Sequence, residues 1–208
     1  MLFRSDINLY SGTSGSQTIT NTQGFQPSFI WLKSRSTATN NIVHDVLRGT
    51  AGLYRLFTDS TTTEGTTGDG FASINSNGFS LDSSGGGGDV NTTGRTYVAW
   101  QWGGPSSGST NNNGSITSSV AVNTSSGFSV VTYTGNGSSS QTVGHGLGVV
   151  PSMIITKGRS GGAGGTNWMV YHKYLNSGTN AAQYYLNLNN TNAQGGASNV
   201  WQDTAPTS

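Results

Sequence analysis

The sequence contains no cysteine, which excludes disulfide staples, thiolate zinc sites and cysteine nucleophiles together. Charge is scarce as well: 8% of the 208 residues are charged, the formal net charge is +1, and Glu64 is the sole glutamate. Without a basic stripe, a phosphate backbone has no electrostatic footprint to meet, so no nucleic-acid partner is expected. Long apolar runs are missing too. The longest, such as VVPSMII at Val149 to Ile155, fall far short of a bilayer span, and the opening MLFRSD has no signal-peptide core. Membrane insertion is therefore not expected.

What the chain does have is 32 Gly, 30 Ser, 28 Thr and 20 Asn, so small and turn-forming residues make up more than half of it. Disordered chains of low hydrophobicity are usually highly charged and poor in aromatics, whereas this one carries 5 Trp, 8 Tyr and 7 Phe. The polar mass reads as solvated strand faces and turns around an aromatic core.

Apolar residues come in short β-branched or aromatic runs: FIWLK (29–33), LYRLF (53–57), GFSL (78–81), TYVAWQW (96–102), SSVAV (118–122), FSVVTY (128–133), MIITK (153–157), NWMVYH (167–172) and YYLNLN (184–189). None sustains a helical period beyond about one turn, and the turn signals between them predict an all-β chain of antiparallel sandwich type. Phe29-Ile30-Trp31-Leu32 is apolar on both alternating faces, as an inner strand covered on both sides would be. The polar insertion 82–94 reads as a mobile rim loop.

The chain also repeats itself. Tyr10 pairs with Tyr133, Gln17-Thr18 with Gln141-Thr142, Pro27-Ser28 with Pro151-Ser152, Lys33 with Lys157, Arg35-Ser36 with Arg159-Ser160, and Tyr54 and Leu56 with Tyr184 and Leu186. The offset drifts from 123 to 130, with the drift confined to loops. A period this long is not that of a solenoid; it indicates two copies of one β-domain. The expected division is a sandwich at 1–104, a Gly/Ser/Asn-rich linker at 105–114, and a second sandwich at 115–208. The second copy has no counterpart of Asn77 to Trp102, so it is expected to lack its closing hairpin. The sequence reads as a window on a longer array, with the open edge covered by an identical chain, by the first copy or by further residues.

The ordered set GFSVVTYTGNG, TVGHGLGVVPSMIITKGRS, NWMVYHKYLN, YYLNLN and TAPTS, with a TYVAW closing strand, resembles domains repeated in virion structural proteins of tailed phages, particularly marine ones, of tail-fibre or appendage type. The resemblance spans nearly the whole chain. It implies a jelly-roll or concanavalin-like sandwich on the surface of an extracellular particle, with other copies of itself or other virion proteins as partners and a host-surface glycan as a further one. It brings no catalytic residue with it.

The chemical constellations point the same way. G-x-S-x-G occurs at Gly104 to Gly108 and at Gly158 to Gly162, but in a chain this rich in Gly and Ser it arises from composition, and neither lies on a strand-turn-helix. The glycines of VGHGLG (143–148) precede no helix, so they form a turn with His145 in solvent. His44, His145 and His172 are dispersed, without a metal-ligand pattern. The expected cofactor set is therefore none, with a rim calcium on Asp69, Asp82 or Asp89 as the alternative to turn-capping aspartates. Four of the five tryptophans lie in strand candidates and read as core rather than sugar platforms. Lys33 with Arg35, and Lys157 with Arg159, read as solvated strand-end charges, with a buried pair of Arg35 or Arg48 with Asp45 as the competing role.

Ligand contact is expected on two Gly-rich loops, 82–94 and 161–167, through Asp82, Asp89, Asn91 and Arg95 on the first and Asn167 with the adjacent Trp168 on the second. The functional expectation is a non-enzymatic virion structural protein. A bacterial extracellular lectin or adhesin is the alternative, and a glycan-degrading enzyme the third reading.

Overall fold

A computed structural model describes residues 4–49, 54–66, 68–160, 166–197 and 199–208. The first ten strands are β1 (Ser5–Ser11), β2 (Gln17–Thr20), β3 (Pro27–Ser34), β4 (Ile42–Asp45), β5 (Tyr54–Phe57), β6 (Gly65–Thr66), β7 (Phe71–Asn75), β8 (Gly78–Leu81), β9 (Thr96–Gly103) and β10 (Ser109–Asn111). Six more follow: β11 (Ser118–Asn123), β12 (Phe128–Tyr133), β13 (Met153–Thr156), β14 (Met169–His172), β15 (Tyr184–Asn187) and β16 (Gly195–Gly196). The only helical pieces among the described residues are short 3-10 turns. The all-β expectation holds.

Two compact units divide the chain: residues 1–56 with 65–146, and residues 57–64 with 147–208. This division differs from the one read in the sequence. The stretch 105–114 carries β10, which pairs antiparallel with β11, and β11 and β12 belong to the first unit. The backbone of Ser, Thr and Asn residues pairs in a ladder as readily as it forms a flexible linker, so composition alone does not separate the two.

In the first unit a six-stranded sheet runs β1-β9-β3-β4-β5-β6, and a three-stranded sheet runs β2-β8-β7. Strand alternation sends Tyr97, Ala99 and Gln101 of β9 and Ile30 and Leu32 of β3 to one face, all fully buried. Phe79 and Phe71 from the smaller sheet meet that face: Tyr10 packs edge-on against Phe79 at 6.0 Å, and His44 stacks on Phe71 at 3.9 Å. The arrangement is a sandwich whose core is aromatic, as sheet-on-sheet packing requires of inward positions.

The segment 82–94 departs from expectation. It is packed against the sandwich rather than standing free, because Val90 and Asn91 are buried and Val90 N donates to Asp69 O at 3.0 Å. Asn91 serves as a four-way tie. Its Oδ1 accepts from Thr13 N and Gln17 Nε2, and its Nδ2 donates to Gly15 O and Asp82 O. Gly88 makes the close approach feasible: at φ 47° it adopts a conformation glycine tolerates, and a Cβ there would collide with the backbone of Gly68 and Asp69.

The second unit has one sheet, β13-β14-β15-β16. One face covers a small cluster of Tyr171, Leu175, Ala181 and Ala182, to which Ile154, Tyr184, Leu186 and Trp201 add partly buried area. The β13–β16 sheet reproduces β3–β6 strand for strand. Trp31 faces Val43 across β3 and β4, and Ile155 faces Val170 across β13 and β14. Likewise Tyr54 faces Thr66 and Arg55 faces Gly65, while Tyr184 faces Gly196 and Tyr185 faces Gly195. Both strand order and register recur. The second copy departs where a counterpart of β9 would lie, since β13 has only β14 as a neighbour among the described strands.

Candidate functional site

Register places one aromatic row on the outer face of the large sheet. Trp100 of β9 lies opposite Ile7 of β1 on one side and Trp31 of β3 on the other, and Trp102 lies opposite Ser5 and Phe29. Because strand side chains alternate, all of these point away from the buried Tyr97, Ala99 and Gln101. Trp31 and Trp100 meet edge to face, centroids 6.3 Å apart at 64°. Phe29, Trp102 and Phe128 of β12 cluster at the next row, with the Trp102 and Phe128 rings stacked at 5.7 Å.

Between the tryptophans lies an open groove of about 320 Å³ lined by Trp31, Trp100, Trp102, Lys33 and Asn41. Lys33 Nζ donates to Asn41 Oδ1 at 2.8 Å, fixing a polar pair at the rim of apolar walls. Ile7 and Leu9, 59% and 62% exposed, continue the apolar strip across β1. Half-buried indole faces with a few placed polar groups suit a ligand with an apolar face and polar edges. The tryptophans of β3 and β9 are thus neither fully core nor on loops.

None of the residues expected to contact ligand from loops lines this groove. Asn91 is fully buried, and Trp168 is 7% exposed with Nε1 donating to Phe57 O at 2.7 Å. Both side chains are committed to packing and backbone ties. Asp82 accepts from Ser84 N at 2.8 Å as a turn cap. Burial pushes the half-buried Asp89 carboxyl up, against the pull of the Arg55 and Arg95 guanidinium groups. Asn167 is exposed and accepts from Asn189 Nδ2. The rest of the second loop, 161–165, is outside the described residues.

Sequence reasoning missed a buried pair, His44 Nε2 to Asp69 Oδ2 at 3.0 Å, each side chain 1% exposed. Burial raises the Asp69 carboxyl, yet the hydrogen bonds from His44 and Phe71 N hold it below the ordinary aspartate value. His44 Nδ1 finds no partner, so the tautomer with its proton on Nε2 leaves only a lone pair unsatisfied there. Sealed under Phe71, this pair has no route to a substrate and acts as a core lock. The two are 25 positions apart in sequence, and only the packed fold brings them together.

Of the two readings for the basic residues, the buried pair is real for Arg48: Nε lies 2.5 Å from Asp45 Oδ2, and Nη2 donates to Val43 O. Arg159 forms a two-pronged pair with Glu64, at 3.0 and 2.7 Å. Lys157 Nζ donates to Thr61 O and Thr166 O, and burial holds its ammonium below the ordinary lysine value. Together these clamp residues 57–64 onto the second unit. Among the described residues, no three His, Cys, Asp or Glu side chains gather as metal ligands do. No helix among them is long and apolar enough to cross a membrane.

Taken together, fold and groove define an all-β protein of two related repeats bearing an aromatic sheet-face site. The chain belongs to the family described as a domain of unknown function, DUF7483, whose model matches residues 4–208. The match spans both repeats. No curated protein and no solved structure matches the chain.

Proposed function

We propose that this chain is a non-enzymatic structural protein of a tailed-phage virion, part of a fibre, tail appendage or capsid-surface decoration, and that its aromatic groove binds host-surface glycan. The observation that carries the binding part is the Trp31, Trp100 and Trp102 groove with Lys33 and Asn41 at its rim. The C–H face of a pyranose ring stacks on indole while its hydroxyls reach rim donors and acceptors, giving modest affinity without chemistry. The virion part is supported by the resemblance of the ordered motifs and by the tandem repeat, which suits a rigid extracellular particle.

Two measurements test the proposal. Mass spectrometry of purified particles, with immunogold labelling against this chain, should find it on the particle surface; its absence from particles would favour the extracellular lectin reading of the same groove. A glycan array probed with intact chain should give saturable binding that Trp100→Ala weakens roughly tenfold or more. Binding that survives Trp100→Ala and Trp31→Ala unchanged would move the site off this sheet.

A further inference from the structure

We infer that the groove of the first repeat takes an anionic glycan, whose pyranose rings stack on Trp31 and Trp100 while carboxylate or sulfate groups on the ring edges meet Lys33 and Arg35. The inference rests on the glycan reading of this groove and adds a charge requirement to it. β3 sets the geometry. Its alternation turns Ile30, Leu32 and Ser34 inward, all buried, so Trp31 and Lys33 point outward. Arg35 extends that row by one step, because Arg35 N still donates to Thr96 O at 2.7 Å. Lys33 and Arg35 are both exposed. Four residue steps from Trp31 to Arg35 cover about 14 Å, so the strip suits an oligosaccharide rather than a single sugar.

Neither cation is neutralised by a carboxylate of the protein. Lys33 Nζ donates to the neutral amide of Asn41, and among the described residues no acid pairs with Lys33 or Arg35. The acids of the first unit are engaged elsewhere: Asp6 with Thr22, Asp45 with Arg48, Asp69 with His44, Asp82 with Ser84 N, and Asp89 beside Arg55 and Arg95. None of them lines the groove. An ion pair at the rim of an apolar wall is screened less than one in open solvent, so the counter-charge carried by a stacked ring adds to its affinity.

The second repeat is an internal control. The same Lys-x-Arg-Ser recurs at 157–160. There Lys157 donates to Thr61 O and Thr166 O, and Arg159 grips Glu64 with two prongs, so both charges are spent on holding residues 57–64. The indole wall is missing from that copy as well, since Ile155 stands where the first repeat has Trp31. Aromatic wall and uncommitted cations thus occur together in one copy and are absent together from the other. That is the pattern expected if both serve one ligand.

The test uses the full chain and two matched pairs of probes, a galacturonate hexamer with its methyl ester and a sulfated galactan hexamer with its desulfated form, each titrated by tryptophan fluorescence. At about 0.01 M salt at least one charged probe is expected to bind roughly tenfold more tightly than its neutral mate, and the advantage should vanish at about 1 M salt. The tighter of the two charged probes identifies the anion. Lys33→Gln combined with Arg35→Gln should erase the advantage without moving the thermal midpoint, while Trp100→Ala should weaken charged and neutral probes alike. Equal binding of charged and neutral mates, still sensitive to Trp100→Ala, would overturn the charge requirement and leave the glycan reading standing. Charged probes that bind undiminished after Trp100→Ala and Trp31→Ala would also overturn the inference, because scattered surface charge would then hold them. No binding by any of the four would overturn both readings.

Discussion

Strands β3 and β13 occupy the same place in two copies of one sheet, yet their interiors differ. Ile30 and Leu32 are fully buried in β3, whereas their counterparts in β13, Ile154 and Thr156, are only half-buried. The turn chemistry and strand lengths shared by the copies suffice to set strand order, and both four-strand meanders pair in like register at their first and last pairs. Burial is not set locally. It depends on β9 and on the small sheet β2-β8-β7, which supplies Phe71 and Phe79 from above.

Substitutions at matched positions of the two copies test this contrast. The largest effect is expected from Asp45→Ala, which strands the buried Arg48 guanidinium and removes the acceptor of Leu47 N and Arg48 N. Breaking one half of a buried pair costs about 3–5 kcal/mol, and urea denaturation followed through signals of the first unit reads it. The matching substitution in the second repeat, His172→Ala, removes a half-buried ring and should cost no more than about 0.5 kcal/mol.

Next is a matched pair of core truncations. Ile30→Ala opens a cavity in a closed sandwich and is expected to cost about 3–4 kcal/mol, while Ile154→Ala, on a partly open sheet, should cost about 1–2 kcal/mol. Equal losses would mean that the second unit is as well closed as the first.

Acid sensitivity follows from Asp69. Its carboxyl is lowered in the folded state, so the fold gains stability that is full above the ordinary aspartate value of 3.8 and is lost as pH falls through the lower folded value. Removing the histidine with His44→Leu leaves burial opposed by the Phe71 N hydrogen bond and the Arg55 charge alone, so the Asp69 carboxyl moves up. The acid-unfolding midpoint of the first unit should then move to higher pH. The midpoint of the second unit should stay where it was, which a pH titration by circular dichroism and NMR would separate.

Apart from the control His172→Ala, the smallest effect is expected from Arg159→Ala. Its side chain is 41% exposed, so losing the pair with Glu64 should cost about 0.5–1 kcal/mol despite its two short contacts.

Much of this fold can be read in the sequence wherever apolar residues run together. β8 and β12 begin and end where the runs GFSL and FSVVTY do. β1 escapes that reading because its alternation is inverted: Ile7 and Leu9 face outward and exposed, while Asn8 faces inward and accepts from the buried Gln101. β4 and β7 are hidden by polar residues, His44 and Asp45 in one and Ser73 and Asn75 in the other; the partner of His44, Asp69, lies far along the chain, while Asp45 holds Arg48 and Asn75 holds Ser80 close by. The groove was half legible. Period-two alternation puts Trp100 and Trp102 on one face of β9, but only the pairing with β3 and the buried Gln101 on the opposite face show that this face is the outer one. Asn91 and Trp168 looked like loop contacts because nothing local reveals the tie to Gln17 or to Phe57 O.

The account turns on one claim, that β13 is a β3 whose β9 side is open. Residue-resolved hydrogen exchange of the full chain measures this directly. The account predicts continuous slow exchange from Phe29 to Ser34 and an alternating pattern from Met153 to Thr156, slow at amides that pair with β14 and fast at those facing the free side. Uniform slow exchange along β13, equal to that of β3, would contradict it.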